Sequence, residues 1–217
     1  MSVSRAAMAA PLSPPRPEPR SIRFETQNFL VRTLELADVT ERACAWFADP
    51  DKAKMINAIP RAMSAAEFTD YITSHDRVTG HAIGIFDRST GLHLGLWAIY
   101  VDWDRREFLV NVLVGERGYE PGPRHETQRR LMEIFFEEFD LEAVRFAILA
   151  KNERLQGRIN DAGINSDHTS YKPSVANPAF EEINHYSVTR EVWRGFRDTR
   201  ERRDMIAAAL AAAWTGI

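Results

Sequence analysis

One cysteine, Cys44, stands in the 217 residues, so no disulfide can form within the chain, and a reducing, cytoplasmic setting is expected. Cys44 sits in an apolar helical pattern and reads as a small core residue rather than a nucleophile. Long apolar runs are also missing. The longest, residues 205–214, is Ala-rich and far short of the roughly 20 residues that cross a bilayer, so no membrane role is expected. The formal charge of -3 excludes nucleic-acid binding driven by bulk positive charge. The histidines at positions 75, 81, 93, 125, 168 and 185 have no metal-ligand spacing with cysteine or with one another, so no metal site is expected. Walker, dinucleotide and G-x-S-x-G signatures are absent, as are internal repeats.

The chain's 44% hydrophobic and 27% charged residues are those of an ordinary globular domain. Residues 1–20 carry five prolines between Pro11 and Arg20, which predicts an extended tail. A strand is expected over residues 22–36. Asp38 to Glu41 forms a capping-box pattern opening a helix to about Phe47, which Asp49-Pro50 closes. Ser64 to Glu67 opens a second helix to about His75. The period then changes to two. Strands are expected over 81–87, 92–101 and 108–114, joined by turns at 88–91 and 102–106 as an antiparallel meander. A helix over 125–139 carries Leu131, Met132, Phe135, Phe136 and Phe139 on one face. A buried strand over 143–150 follows. Asn152 caps a helix from Glu153 to Ala162, with Gly163 as its stop. A last strand spans 183–192. The expected fold is a mixed α/β (α+β) domain over 21–193, followed by a helical extension over 194–217. In that extension Ile206, Leu210 and Trp214 recur at helical spacing, and they would dock on the same domain or make a homodimer contact.

Three patterns within this order resemble the GNAT acetyltransferases, and in particular their ribosomal-protein alanine branch. The first is Glu25-Thr-Gln-Asn-Phe-Leu-Val-Arg32 followed by Leu34 and Asp38. The second is Gly115-Glu116, then Gly122, Glu126 and a helix ending Phe136-Glu-Glu-Phe139. The third is Asn152-Glu-Arg with Gly163. Residues 186–193 match the usual last strand and its exit, so the resemblance covers roughly Phe24 to Trp193. It implies a mostly antiparallel sheet flanked by helices, whose fourth and fifth strands (108–114 and 143–150) splay apart. Acetyl-CoA or another acyl-CoA would lie in the gap. The backbone of Val112, Leu113 and Val114 would pair with it, the loop before the third helix would hold its pyrophosphate, and Asn152 would touch it further along. An amine, on a small molecule or a peptide, would attack the thioester while a base takes its proton.

The loop departs from the family pattern. Glu120 and Arg124 stand where small residues are usual, and only Gly122 remains of them. Pro121 and Pro123 each lack an N–H. Each missing charge-assisted bond weakens anion binding by roughly 1.5–3 kcal/mol. Arg117, Arg124 and His125 could replace backbone donors by side-chain charge. Ile159 occupies the position where many relatives carry a Tyr that protonates the leaving thiolate, and Leu155 replaces a common Ser.

Tyr100 and Tyr186 are the alternative acids, or else core tyrosines. Glu107 and Asp102 are candidate bases, or else solvated turn charges. Asn111, inside an apolar strand, either lines the acceptor site or satisfies a bulge. Trp97, Trp103 and Phe108 read as core, with a pocket-shaping role as the alternative. Acceptor choice would lie in residues 48–77 and 165–180. Two functional readings stand side by side: an acyl-CoA-dependent N-acyltransferase, and a domain of this fold without ordinary acetyl-CoA use. The second would serve as a binding or assembly module, or would take its acyl group from another donor such as a carrier protein.

Overall fold

A computed structural model describes residues 17–55, 59–116, 118–119, 122–161, 163–175 and 179–197. The expected first strand is in fact a hairpin, β1 (Arg23–Glu25) and β2 (Phe29–Thr33). Thr26 breaks it: its N–H donates to the Phe29 carbonyl at 2.8 Å, and its hydroxyl accepts from Phe29 N–H at 3.1 Å. The next correction concerns Asp38. It does not open the following helix but ends a 3-10 turn, Leu36–Asp38, and is buried against Arg32 in a two-pronged pair of 2.7 and 2.8 Å. Thr40 caps α1 (Glu41–Ala45) instead, its hydroxyl accepting from Ala43 N–H. A 3-10 turn, Trp46–Ala48, follows, and Pro50 then opens a further short helix, α2 (Pro50–Met55).

The Ser64–Glu67 capping box does open α3 (Ala65–Ser74). The meander also forms as expected: β3 (Gly80–Asp87), β4 (His93–Asp102) and β5 (Glu107–Val114). Next comes α4 (Gly122–Glu133), which ends in a π turn over Ile134–Glu138. After β6 (Ala143–Leu149) and α5 (Glu153–Asp161), Gly163 adopts φ +79° and closes the helix. Residues 165–180, for which no strand was expected before 183, contain an edge strand, β7 (His168–Pro173). The last strand, β8, runs Phe180–Thr189. The helix expected from Arg194 starts earlier, as α6 (Arg190–Arg197). Trp193 packs that helix on Phe136, ring to ring at 5.1 Å. The stripe at Ile206, Leu210 and Trp214 and the tail before Pro17 lie outside the described residues.

Among the described residues eight strands form one sheet, ordered β1-β2-β3-β4-β5-β6-β8-β7, in which β5–β6 is the single parallel pair. One face packs on α4, its π turn and α5 through Val31, Ile83, Trp97, Phe108, Phe135 and Ile159. The other packs on α1 and α3 through Leu34, Ala98, Leu113, Cys44 and Phe68. Among the described residues no helix is long and apolar enough to cross a membrane.

Candidate functional site

The site begins where β5 and β6 part. They pair only over Glu107–Leu109 and Ala143–Arg145. Beyond that, β5 continues on β4 as far as Val114, while β6 continues on β8 to Leu149. Among the described residues, β5 from Val110 onward therefore has a strand on one side only. The side chains of Val112, Leu113 and Val114 are buried at 4%, 3% and 6% exposure, so these residues present backbone to the gap. Such an edge accepts an extended ligand as an added strand.

The chain leaves β5 along a fixed path. Gly115 and Glu116 N–H groups both donate to the Leu94 carbonyl, at 2.8 and 3.1 Å. The Glu116 carboxylate accepts from Arg42 and from Trp46 Nε1, at 2.7 and 2.9 Å, and the Arg42 guanidinium holds its pKa below the usual carboxylate value. At the other end of the loop, α4 starts at Gly122 with Pro123 in its first turn. There a missing N–H costs the helix nothing, because the first N–H groups have no helical partner. Thr127 ties the turn down: its hydroxyl donates to the Pro123 carbonyl at 2.6 Å and accepts from Trp97 Nε1 at 3.1 Å. Pro123 thus suits the helix but adds no N–H at its N-terminus. Gly122 and Arg124 keep their N–H groups. Glu126 faces Asn28, taking its backbone and side-chain N–H at 2.7 Å each, and so fastens the β1–β2 turn to α4. Arg124 is half-buried in the first turn of α4. Arg117, Glu120, Pro121 and the side chain of His125 lie outside the described residues.

Strand parity sorts the remaining candidates. Glu107, Leu109, Asn111 and Leu113 share the face that α1 and α3 cover in part. Across the gap that face continues through Arg145, Ser187, His185 and Ser170, none of them buried. Asn111 is 8% exposed, opposite Ala98 and diagonal to Tyr100. Glu107 is held by Arg145 at 2.5 and 2.8 Å, at the closed end of the gap. Tyr186 faces the other way. It is 2% exposed and stacks on Phe146 at 5.3 Å in the α4-side core, where burial raises its pKa. Tyr186, expected among the candidate acids, thus lies in the core, and its neighbours His185 and Ser187 occupy the open face.

His185 is the residue that sequence reasoning misses. Its Nε2 is 2.7 Å from the Ser170 hydroxyl, and its ring stacks on His168 at 4.3 Å. Burial and the neighbouring His168, Lys172 and Arg145 lower its pKa, leaving it neutral near pH 7. The missing signal was β7, which supplies both partners. Asp102 accepts from Arg105 N–H and caps its own turn. Trp97 and Phe108 are core, and Trp103 donates to the Val78 carbonyl at 2.9 Å. Asn152 stands just before α5, its carbonyl accepting from Gln156 N–H at 3.1 Å. Ile159 is fully buried. Among the described residues no group of three or more His, Cys, Asp or Glu could hold a metal ion.

The acetyltransferase (GNAT) domain model matches residues 28–165. Among solved structures, a GCN5-related N-acetyltransferase from Brucella melitensis aligns with TM-score 0.65 at 15% identity, covering 88% of this chain and 96% of that one. A spermidine N-acetyltransferase from Vibrio cholerae, in complex with CoA and spermine, aligns with TM-score 0.64 at 11% identity, covering 77% and 98%. A ribosomal-protein alanine acetyltransferase from Vibrio fischeri aligns with TM-score 0.61 at 14% identity, covering 79% and 99%. At these identities the likeness is one of fold. A search of curated proteins finds none that matches the sequence.

Proposed function

The chain belongs to the GNAT acetyltransferase family, and on that footing we propose that it is an N-acyltransferase, moving an acyl group, acetyl first, from acyl-CoA to the amine of a small molecule or a protein N-terminus. The observation that carries this reading is the parting of β5 from β6 after Leu109, directly ahead of the loop and the first turn of α4.

The frame fits acetyl-CoA. The open edge of β5 at Val112, Leu113 and Val114 offers N–H and C=O groups to an amide-bearing arm. Gly122 and Arg124 N–H groups, with the positive end of the α4 dipole, suit a pyrophosphate. Side-chain charge from Arg117, Arg124 and His125 offsets the donors lost at Pro121 and Pro123, and Asn152 serves the far end. When bound, acetyl-CoA would supply an acyl thioester open to attack by the amine, with the CoA thiolate as leaving group, protonated afterwards by solvent. The acceptor enters over the face of Asn111 and the Glu107–Arg145 pair. Asn111 orients the reacting groups by hydrogen bonding. His185, neutral and steadied by Ser170, takes the proton from the amine nitrogen, directly or through one water. Glu107, neutralised by Arg145, positions the acceptor.

A second reading keeps the fold and drops ordinary acetyl-CoA use, in favour of a binding module or another acyl donor. The two prolines and Glu120 in the anion loop favour it. Calorimetric titration with acetyl-CoA separates the two, run on the wild type and on Arg124→Ala. Binding in the wild type that weakens about tenfold in the variant supports the acyltransferase with side-chain compensation. No heat at high-micromolar acetyl-CoA sinks it in its acetyl-CoA form.

A further inference from the structure

A cleft of about 520 Å³ opens away from the β5–β6 gap, between the end of β2, the turn at Leu36–Asp38 and the C-terminus of α3. That is the size of a small-molecule site. Ile22, Leu34, Ile72 and Ala82 give it an apolar lining, and Arg23, Arg77, Glu35 and His75 give it charge and polarity.

His75 sets its chemistry. The residue is 7% exposed, and its ring lies between Tyr71 and Tyr100, with centroids at 4.6 and 5.4 Å. Nδ1 is 2.6 Å from the Tyr71 carbonyl oxygen, which only accepts, so Nδ1 carries the proton. Nε2 is left as an acceptor, and it is buried without a hydrogen-bond partner among the described residues. A buried polar atom in that state is uncommon and favours a donor brought to it.

The cations differ in how far they are engaged. Arg32 is spent on Asp38 and lies over the Phe86 ring. Arg77 is set in place by an unusual backbone, φ 62°, with its N–H on the Gly80 carbonyl and its own carbonyl accepting from Arg20 N–H. Its guanidinium donates to the Ser21 hydroxyl at 3.2 Å. Neither Arg77 nor Arg23 has a carboxylate partner among the described residues, although both line the cleft. His75 with its unpartnered acceptor nitrogen, the exposed Arg23 and Arg77, and the apolar Ile22, Leu34, Ile72 and Ala82 therefore line one cleft, and together they define a ligand.

We propose that this cleft is a second binding site, for a small organic carboxylate bearing an amino or hydroxyl group beside an apolar chain, as in a free amino acid or hydroxy acid. The carboxylate meets Arg77 and Arg23, the amino or hydroxyl group donates to His75 Nε2, and the chain lies on Leu34 and Ile72. Nothing in this depends on acyl transfer.

The test is calorimetry on the full chain with four probes: L-leucine, 2-hydroxy-4-methylpentanoate, 4-methylpentanoate and inorganic phosphate. Leucine and the hydroxy acid are expected to bind. 4-Methylpentanoate, lacking the donor, should bind about tenfold more weakly. Arg77→Ala should weaken leucine about tenfold and leave acetyl-CoA binding unchanged. His75→Phe, which keeps the ring stack, should level the hydroxy acid with 4-methylpentanoate. If that variant does not fold, the exposed pair Arg23→Ala with Arg77→Ala decides by itself. The proposal is overturned by no binding at millimolar leucine and hydroxy acid, by phosphate binding as tightly as leucine, or by binding indifferent to Arg77→Ala.

Discussion

Gly115 lies flat against the indole of Trp46: a Cβ there would stand 2.0 Å from Cδ2 and 2.2 Å from Cε2 of the ring. Trp46 Nε1 holds Glu116 at 2.9 Å, and Lys52 donates to the Gly115 carbonyl at 3.0 Å. The small residue at the exit of β5 is therefore imposed by a packed ring, whatever ligand the loop accepts. Gly122 is the reverse case, since its nearest neighbour to a new Cβ is 3.8 Å away.

These two glycines should separate in a urea titration. Gly115→Ala forces Trp46 aside and should cost about 2 kcal/mol of stability. Gly122→Ala should stay within about 0.5 kcal/mol. Equal effects would remove the steric account of the loop.

Pro123 offers a gain-of-function test. Pro123→Ala returns an N–H to the first turn of α4, where the helix has no use for it. Acetyl-CoA should bind up to about tenfold more tightly by calorimetry. Unchanged affinity would mean that this turn does not meet the pyrophosphate.

Strand parity makes a kinetic prediction. Tyr186→Phe removes a hydroxyl from the core side and should leave kcat/KM within about threefold, a change of the size expected for a group outside the chemistry. His185→Ala should lower kcat by about 10² or more and remove a pH dependence, as loss of a base does. Asn111→Ala should lower kcat/KM while folding normally by circular dichroism. A Tyr186→Phe enzyme as damaged as His185→Ala would reverse the assignment.

Two histidines make the fold acid-sensitive. His81, fully buried between Phe135 and Phe139, and His93, against Trp46 and Phe86, are each pushed down to about 4 by burial. Both are neutral when folded, whereas the unfolded chain takes up protons below about pH 6.5. Their contribution is thus complete above that pH, and it is lost as pH falls from about 6.5 through 4. At pH 5 the loss is about 2 kcal/mol per histidine. His81→Phe should flatten the pH dependence of Tm between pH 4 and 6.5. An unchanged slope would show that the titration lies elsewhere.

Legibility in the sequence followed burial. The meander β3–β4–β5 and the buried β6 could be read because one-sided or complete burial writes a period or an apolar run. β7, His-Thr-Ser-Tyr-Lys-Pro, is an edge strand with no buried residue, so nothing in its pattern marks it. With β7 unseen, His168 and Ser170 had no place, and His185 looked like one polar residue in a strand. The β1–β2 turn was hidden for a different reason: Glu25 to Asn28 is a polar run without Gly or Pro, and the reversal shows in the Thr26 hydrogen bonds and the strand register. Asp38 was misread because a carboxylate three residues before Glu41 suits a cap as well as it suits Arg32. The frame of the fold was legible in Gly115, the helix to Phe139, Asn152 and Gly163, but which face each strand residue takes needed the register of β8.

Within the sheet itself, three residue pairs, with the Glu107–Arg145 clasp beside them, join a five-strand plate to a three-strand plate, and a shared core lies beneath. A sheet this narrow at its waist bends there first. Opening motions should concentrate on that seam, so amides of Val110 to Val114 exchange faster than those of Leu96 to Ile99 one strand away. Whatever fills the gap then does more than bind: it turns two hinged plates into one continuous sheet.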